Sequence, residues 1–127
     1  MESQKNLTIK RLEILFKNLD TGMTRDKYLA MMEQLGKEPV ESEIPPSEED
    51  LPDIAVIALN TFGMLGDRVY PEIGYIGKDY TNLSYYIEIF EIQDKEFFLE
   101  ILAWLDSRAI KKASQQLKRE YDKLKRK

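Results

Sequence analysis

No glycine or proline follows Gly77. Lys78 to Lys127 therefore carries none of the residues that most readily break a helix. Asp94 is a good N-cap for a helix opening with Phe97, Phe98, Leu99, Ile101, Leu102, Trp104 and Leu105. Nothing after Asp94 obliges that helix to stop before the C-terminus. It is expected to span about 30 residues, or roughly 45 Å. Its first half is apolar enough to lie in a core. From Ile110 onward only Ile110, Ala113, Leu117, Tyr121 and Leu124 interrupt a basic surface.

Shorter helices are expected upstream. Leu7, Ile9, Leu12, Leu15, Phe16 and Leu19 approximate one helical stripe, with Gly22 as its stop. Thr24 reads as the N-cap of a second helix with Tyr28, Leu29, Met31, Met32 and Leu35, closed by Gly36 and Pro39. Residues 37–50 read as an acidic, proline-containing loop. Pro52 suits the first turn of a third helix. Its residues Ile54, Val56, Ile57, Ala58, Leu59 and Phe62 are apolar nearly all round, which predicts burial. Thr81 is expected to cap a fourth helix from Asn82 to about Glu91.

Residues 66–80 are the least regular stretch. Gly66, Gly74 and Gly77 punctuate Tyr70, Ile73, Tyr75, Ile76 and Tyr80. A short hairpin and an ordered loop both fit, and the loop is favoured. The expected fold is all-α: about five helices in a single bundle-like domain. Residues 1–22 form an N-terminal helical extension, 23–109 the core and 110–127 a basic helical tail.

Composition narrows the function. The 127 residues are 43% apolar and 33% charged, enough for a core under a highly charged surface. No apolar run is long enough for a membrane span, and the N-terminus lacks a signal-peptide apolar region. A cytoplasmic location is the default expectation. Cysteine and histidine are both absent. Thiolate nucleophiles, Cys-ligated zinc and the commonest general base near neutral pH are thereby removed. A non-enzymatic protein without a cofactor is expected. The acids of residues 37–50 do not follow the spacing of a calcium loop, and Gly77-Lys78 lacks the rest of a phosphate loop.

The net charge of −4 hides an asymmetry. Between Arg108 and Lys127, nine basic residues face only Glu120 and Asp122, a net of +7 that leaves −11 for the remainder. Seven acids fall between Glu38 and Asp53. Such a chain offers partners two different surfaces.

Two groups of residues are candidate partner-binding sites. The first is the spacing of 3, 4, 4 and 3 from Ile110 through Ala113, Leu117 and Tyr121 to Leu124, a narrow seam for a partner helix. Lys111, Lys118 and Arg119 beside it would select an acidic partner. A solvated helix end explains the same residues. Nucleic acid is a third reading through the basic tail. The acidic body and the absence of a nucleic-acid motif argue against it. The second group is Asp67 and Arg68, set with Lys78 and Asp79 in the glycine-rich stretch. They form either a binding rim or, more simply, salt bridges that pin the segment. Tyr70, Tyr75, Tyr80, Tyr85, Tyr86 and Trp104 fit hydrogen-bonded, buried aromatics better than a stacking platform.

The order of segments resembles the short tail assembly chaperones of tailed bacteriophages. The matching pieces begin with Thr24-Arg-Asp-Lys-Tyr-Leu and Glu33-Gln-Leu-Gly-Lys-Glu-Pro39. Glu43-Ile-Pro-Pro-Ser, Asp50-Leu-Pro-Asp53, Ala58-Leu-Asn-Thr-Phe62, Leu65-Gly-Asp-Arg68 and Gly77-Lys-Asp-Tyr80 follow. Tyr85–Ile92 and Phe98-Leu-Glu-Ile-Leu-Ala-Trp-Leu-Asp-Ser-Arg108 complete the match, which covers about residues 23–112. Residues 1–22 and the basic end lie outside it. The resemblance implies a small helical protein that binds a tail component, such as the tape measure protein, in the host cytoplasm. It implies no catalytic residues. A structural virion or tail component, and a nucleic-acid-binding or regulatory phage protein acting through the basic helix, are the alternatives. Self-association also remains open.

Overall fold

The computed structural model describes residues 3–125. Five α-helices and one two-stranded sheet are present among them: α1 (Gln4–Thr21), α2 (Arg25–Gln34), α3 (Asp53–Met64), β1 (Asp67–Tyr70), β2 (Gly74–Lys78), α4 (Leu83–Ile89) and α5 (Lys95–Lys125). The chain divides into two compact units, residues 1–56 and 57–127, with the division inside α3. No helix among the described residues is long and apolar enough to cross a membrane.

In the first unit, local chemistry fixes the helix ends. Ser3 Oγ accepts from the Asn6 amide at 3.1 Å, so α1 starts three residues earlier than its apolar stripe suggested. Gly22 closes it in the left-handed region, at φ 77°. Thr24 Oγ1 accepts from the Lys27 amide at 3.3 Å and caps α2. Of the predicted α1 stripe, Leu12 is fully buried and Leu19 is exposed. The acidic segment after α2 contains two short 3-10 turns, Glu41–Glu43 and Glu48–Asp50. Basic and phenolic groups tie it down. Arg25 donates to Pro45 O at 3.1 Å and pairs with the Asp50 carboxylate. Arg11 donates to Asp50 O at 3.1 Å. The Tyr28 hydroxyl accepts from the Val40 amide and donates to Glu43. The Ser47 amide and then the Arg25 charge hold the Asp50 carboxyl below its ordinary value.

The second unit departs from the all-α expectation. The favoured loop at 66–80 is an antiparallel hairpin. Asp67 pairs with Lys78 and Arg68 with Gly77; after a bulge, Val69 pairs with Tyr75 and Tyr70 with Gly74. The turn is Pro71-Glu72-Ile73, with Glu72 at φ 69° and Gly74 at φ 88°. A three-residue turn with a left-handed position suits a hairpin, but Pro71 and the absence of a two-residue Asn-Gly signal obscured it. β1 is exposed throughout, so it shows no inside–outside alternation.

The expected cap of α4 also differs. The Thr81 amide and hydroxyl both donate to Asp79 Oδ1, at 2.9 and 2.5 Å, and α4 starts after Asn82. An aspartate two residues upstream competes for the threonine. Asp94 does cap α5, accepting from the Phe97 amide at 3.1 Å. Helix α3 is less uniformly buried than its composition suggested. Ala55, Ala58 and Thr61 are fully covered, while Ile54, Val56, Ile57, Leu59 and Phe62 are half-buried. The small residues mark its closest-packed face.

Along α5, Phe97, Phe98, Ile101, Leu102, Leu105 and Asp106 are buried. Phe98 is one of the largest fully enclosed side chains. Phe98→Ala is expected to destabilise the chain by about 3–5 kcal/mol, the cost of a large internal cavity. Urea denaturation followed by circular dichroism measures it.

Candidate functional site

Asp106 is the only acidic residue on the buried face of α5, one turn after Leu102. A carboxylate there needs donors, because burial penalises its charge. The hairpin supplies them. The Tyr75 hydroxyl donates to Oδ1 at 2.5 Å. The Tyr80 hydroxyl and the Lys78 amide donate to Oδ2, the latter at 3.0 Å. Burial raises the Asp106 pKa, but the two phenols, the Lys78 amide and the Lys78 charge outweigh it, and the net shift is downward. Burial and the neighbouring carboxylate push both phenols above their ordinary value.

Lys78 completes the junction. Its Nζ donates to Asp67 Oδ1 at 2.6 Å and to Leu65 O at 3.2 Å, and lies 4.6 Å from the centre of the Phe62 ring. The ammonium is nearly buried and fully engaged. Gly77 of β2 lies close against Asp106 and Ile110 of α5. Its φ is 128°, and a Cβ there would lie 3.3 Å from Arg68 and Asp106 and 3.7 Å from Ile110. Only glycine fits without displacing a neighbour.

The junction brings Asp67, Arg68 and Ile110 together around Gly77. The pinning reading is shown for Asp67 through its bond to Lys78. Arg68 stays exposed. The remaining candidates lie further along α5. Leu117, Tyr121 and Leu124 are 40%, 60% and 69% exposed; Lys111 and Lys118 are exposed along one flank of that row, whereas Arg119 is exposed on the opposite face of the helix. Ala113 alone among residues 111–125 is half-covered. Of the tyrosines, Tyr75 and Tyr80 find the carboxylate, whereas Tyr70 and Tyr85 face outward.

Asp106 was missed in the sequence. The signal was there: it follows Phe98 and Leu102 at helical spacing, so an acid occupies a core position. Its chemistry is that of a clamp. All its donors are internal, its carboxyl is held low and its phenols high, so none is poised to exchange protons near neutral pH. Among the described residues no cluster of three or more His, Cys, Asp or Glu side chains could hold a metal ion. No family model matches the chain, and no curated protein or solved structure matches it either. The outer half of α5 exposes apolar side chains among basic ones, as Val69, Tyr70, Ile73, Tyr85 and Ile89 are exposed elsewhere in the second unit.

The clamp makes a signed prediction. A carboxyl whose pKa is lowered on folding, from 3.8, stabilises the fold above that value, and the contribution is lost as pH falls through the folded value. The phenols act at the other limb: raised from 10.0, they stabilise below that value and lose the contribution as pH rises past it. Asp106→Asn is expected to cost about 2–3 kcal/mol at neutral pH, the scale of hydrogen bonds to a charged group. It should also flatten the acid limb. Urea titrations at neutral pH and at about pH 3 test both expectations. Gly77→Ala should lower the thermal midpoint while Gly63→Ala, in open space, does not.

Proposed function

We propose that this chain is a non-catalytic protein-binding adaptor that works as a phage tail assembly chaperone, holding a helical segment of a tail protein such as the tape measure protein in the host cytoplasm. The observation that carries this reading is the outer half of α5: Leu117, Tyr121 and Leu124 stand exposed in one row on a basic helix. A row of large apolar side chains costs solubility when bare and is stabilised when a partner helix covers it. The segment order across residues 23–112 supplies the client class by resemblance. The absence of histidine and cysteine is consistent with a protein that binds rather than reacts.

Nucleic acid is the second reading, favoured by the exposed bases of residues 111–125. A phosphate-driven interaction would be sequence-tolerant and would weaken steeply with salt. It gives no role to the apolar row.

Co-expression with neighbouring open reading frames tests the proposal. A long helical tail protein is expected to co-purify with the full chain, and its recovery should fall when residues 110–127 are deleted. Deletion should leave a cooperative circular dichroism melting transition in the remainder, lowered only by the loss of the partly covered Ile110 and Ala113, because residues 114–125 are all exposed. Retention of DNA and of no tail protein would overturn the proposal.

A further inference from the structure

The exposed seam also specifies the geometry and charge of what covers it. Its spacing of 3, 4, 4 and 3 returns after eleven residues: Ile110 is matched by Tyr121, and Ala113 by Leu124. At about 100° per residue these five positions stay within an arc of roughly 80°, along roughly 21 Å of helix. An eleven-residue repeat keeps the seam nearly straight, with a slight right-handed drift, whereas a seven-residue repeat would wrap it to the left.

The two flanks of the seam differ. Lys111, Lys118 and Lys125 recur every seven residues along one side, and the Lys125 ammonium lies 4.9 Å from the centre of the Tyr121 ring. On the other side Gln116 donates to Glu120 at 3.3 Å and Lys123 follows, so that flank carries one acid and one base. A second copy laid antiparallel would place one lysine row against the other, and a parallel copy would meet a flank where Lys123 offsets the single acid Glu120. Like charges at that range repel.

We propose that the outer half of α5 docks an acidic amphipathic helix of another protein. That helix carries apolar residues at the same 3-4-4 spacing and Asp or Glu along the flank facing Lys111, Lys118 and Lys125. This rests on the adaptor reading and adds the partner's chemistry. The apolar row supplies contact area, and the lysine row sets orientation and excludes basic helices.

The test uses the full chain and two synthetic helical peptides of about 20 residues, long enough to be partly helical alone. Both carry leucines at 3-4-4 spacing; one is flanked by glutamates and the other by lysines. Fluorescence anisotropy should show the glutamate peptide binding on the order of tenfold more tightly, with the difference shrinking as salt rises. Lys118→Glu with Lys125→Glu should reverse the preference, and Leu117→Asp should abolish binding of both. These positions are exposed, so circular dichroism of each variant is expected to match the parent. Equal affinity for the two peptides, or no binding of either, overturns the proposal. So does sedimentation showing a dimer that Leu117→Asp dissolves, because a second copy would then be the occupant. A tail protein that co-purifies equally with the charge-reversed variant would leave the adaptor reading standing and defeat this one alone.

Discussion

The second unit depends on one buried carboxylate. Asp106 draws three donors from the hairpin onto α5: two phenols and one backbone amide. A two-stranded hairpin is marginal by itself, and β1 here is exposed along its whole length. Its register is held from the helix side. Tyr75 and Lys78 belong to β2, Tyr80 lies two residues beyond it, and all three reach the same carboxyl group. Lys78 joins this layer to the end of α3 through Leu65 O and the Phe62 ring. Removing the carboxylate would leave the phenols and the amide without their shared acceptor, which is why a polar group in a core position is so consequential.

Beyond this clamp α5 changes character within one turn. Leu105 and Asp106 are buried, Ile110 is partly exposed, and from Leu117 onward the apolar side chains are open. From residue 114 to 125 every side chain is exposed, and composition favours the helix locally. Ala, Gln, Leu, Lys, Arg and Glu are strong helix formers, and the buried half supplies a nucleus from which the helix propagates. Lys123 and Lys125 lie in the last turn, where cations favour the carbonyl end of the helix dipole. On the adaptor reading, a helix so prepared would bind a partner with little ordering cost.

Much of the helical layout was legible in the sequence because its signals are local. Thr24 and Asp94 cap the helices that follow them, and Gly22 ends α1 in the left-handed conformation that glycine permits. After the Asp94 cap the chain does continue as one helix as far as Lys125. The hairpin was less legible because its stability is not local. An exposed strand lacks alternation, and the residues that secure β2 bond to an acid far along the chain. Thr81 was assigned to the wrong bond for a related reason. Asp79 lies two residues away and reaches its hydroxyl before the helix can. Asp67, Arg68, Lys78 and Asp79 were visible as charged residues in an apolar stretch, and of these Lys78 bonds Asp67 across the hairpin.

The central claim is that residues 110–125 are a recognition element not required by the fold. Amide hydrogen exchange of the full chain, with and without its co-purified partner, tests it most directly. In the free chain, exchange should be slow across Phe98 to Asp106 and markedly faster beyond Leu117, where only intrahelical bonds protect the backbone. On binding, new protection should concentrate in residues 110–125. Unchanged exchange there, with protection appearing in the acidic segment 37–50 or elsewhere, would contradict the account.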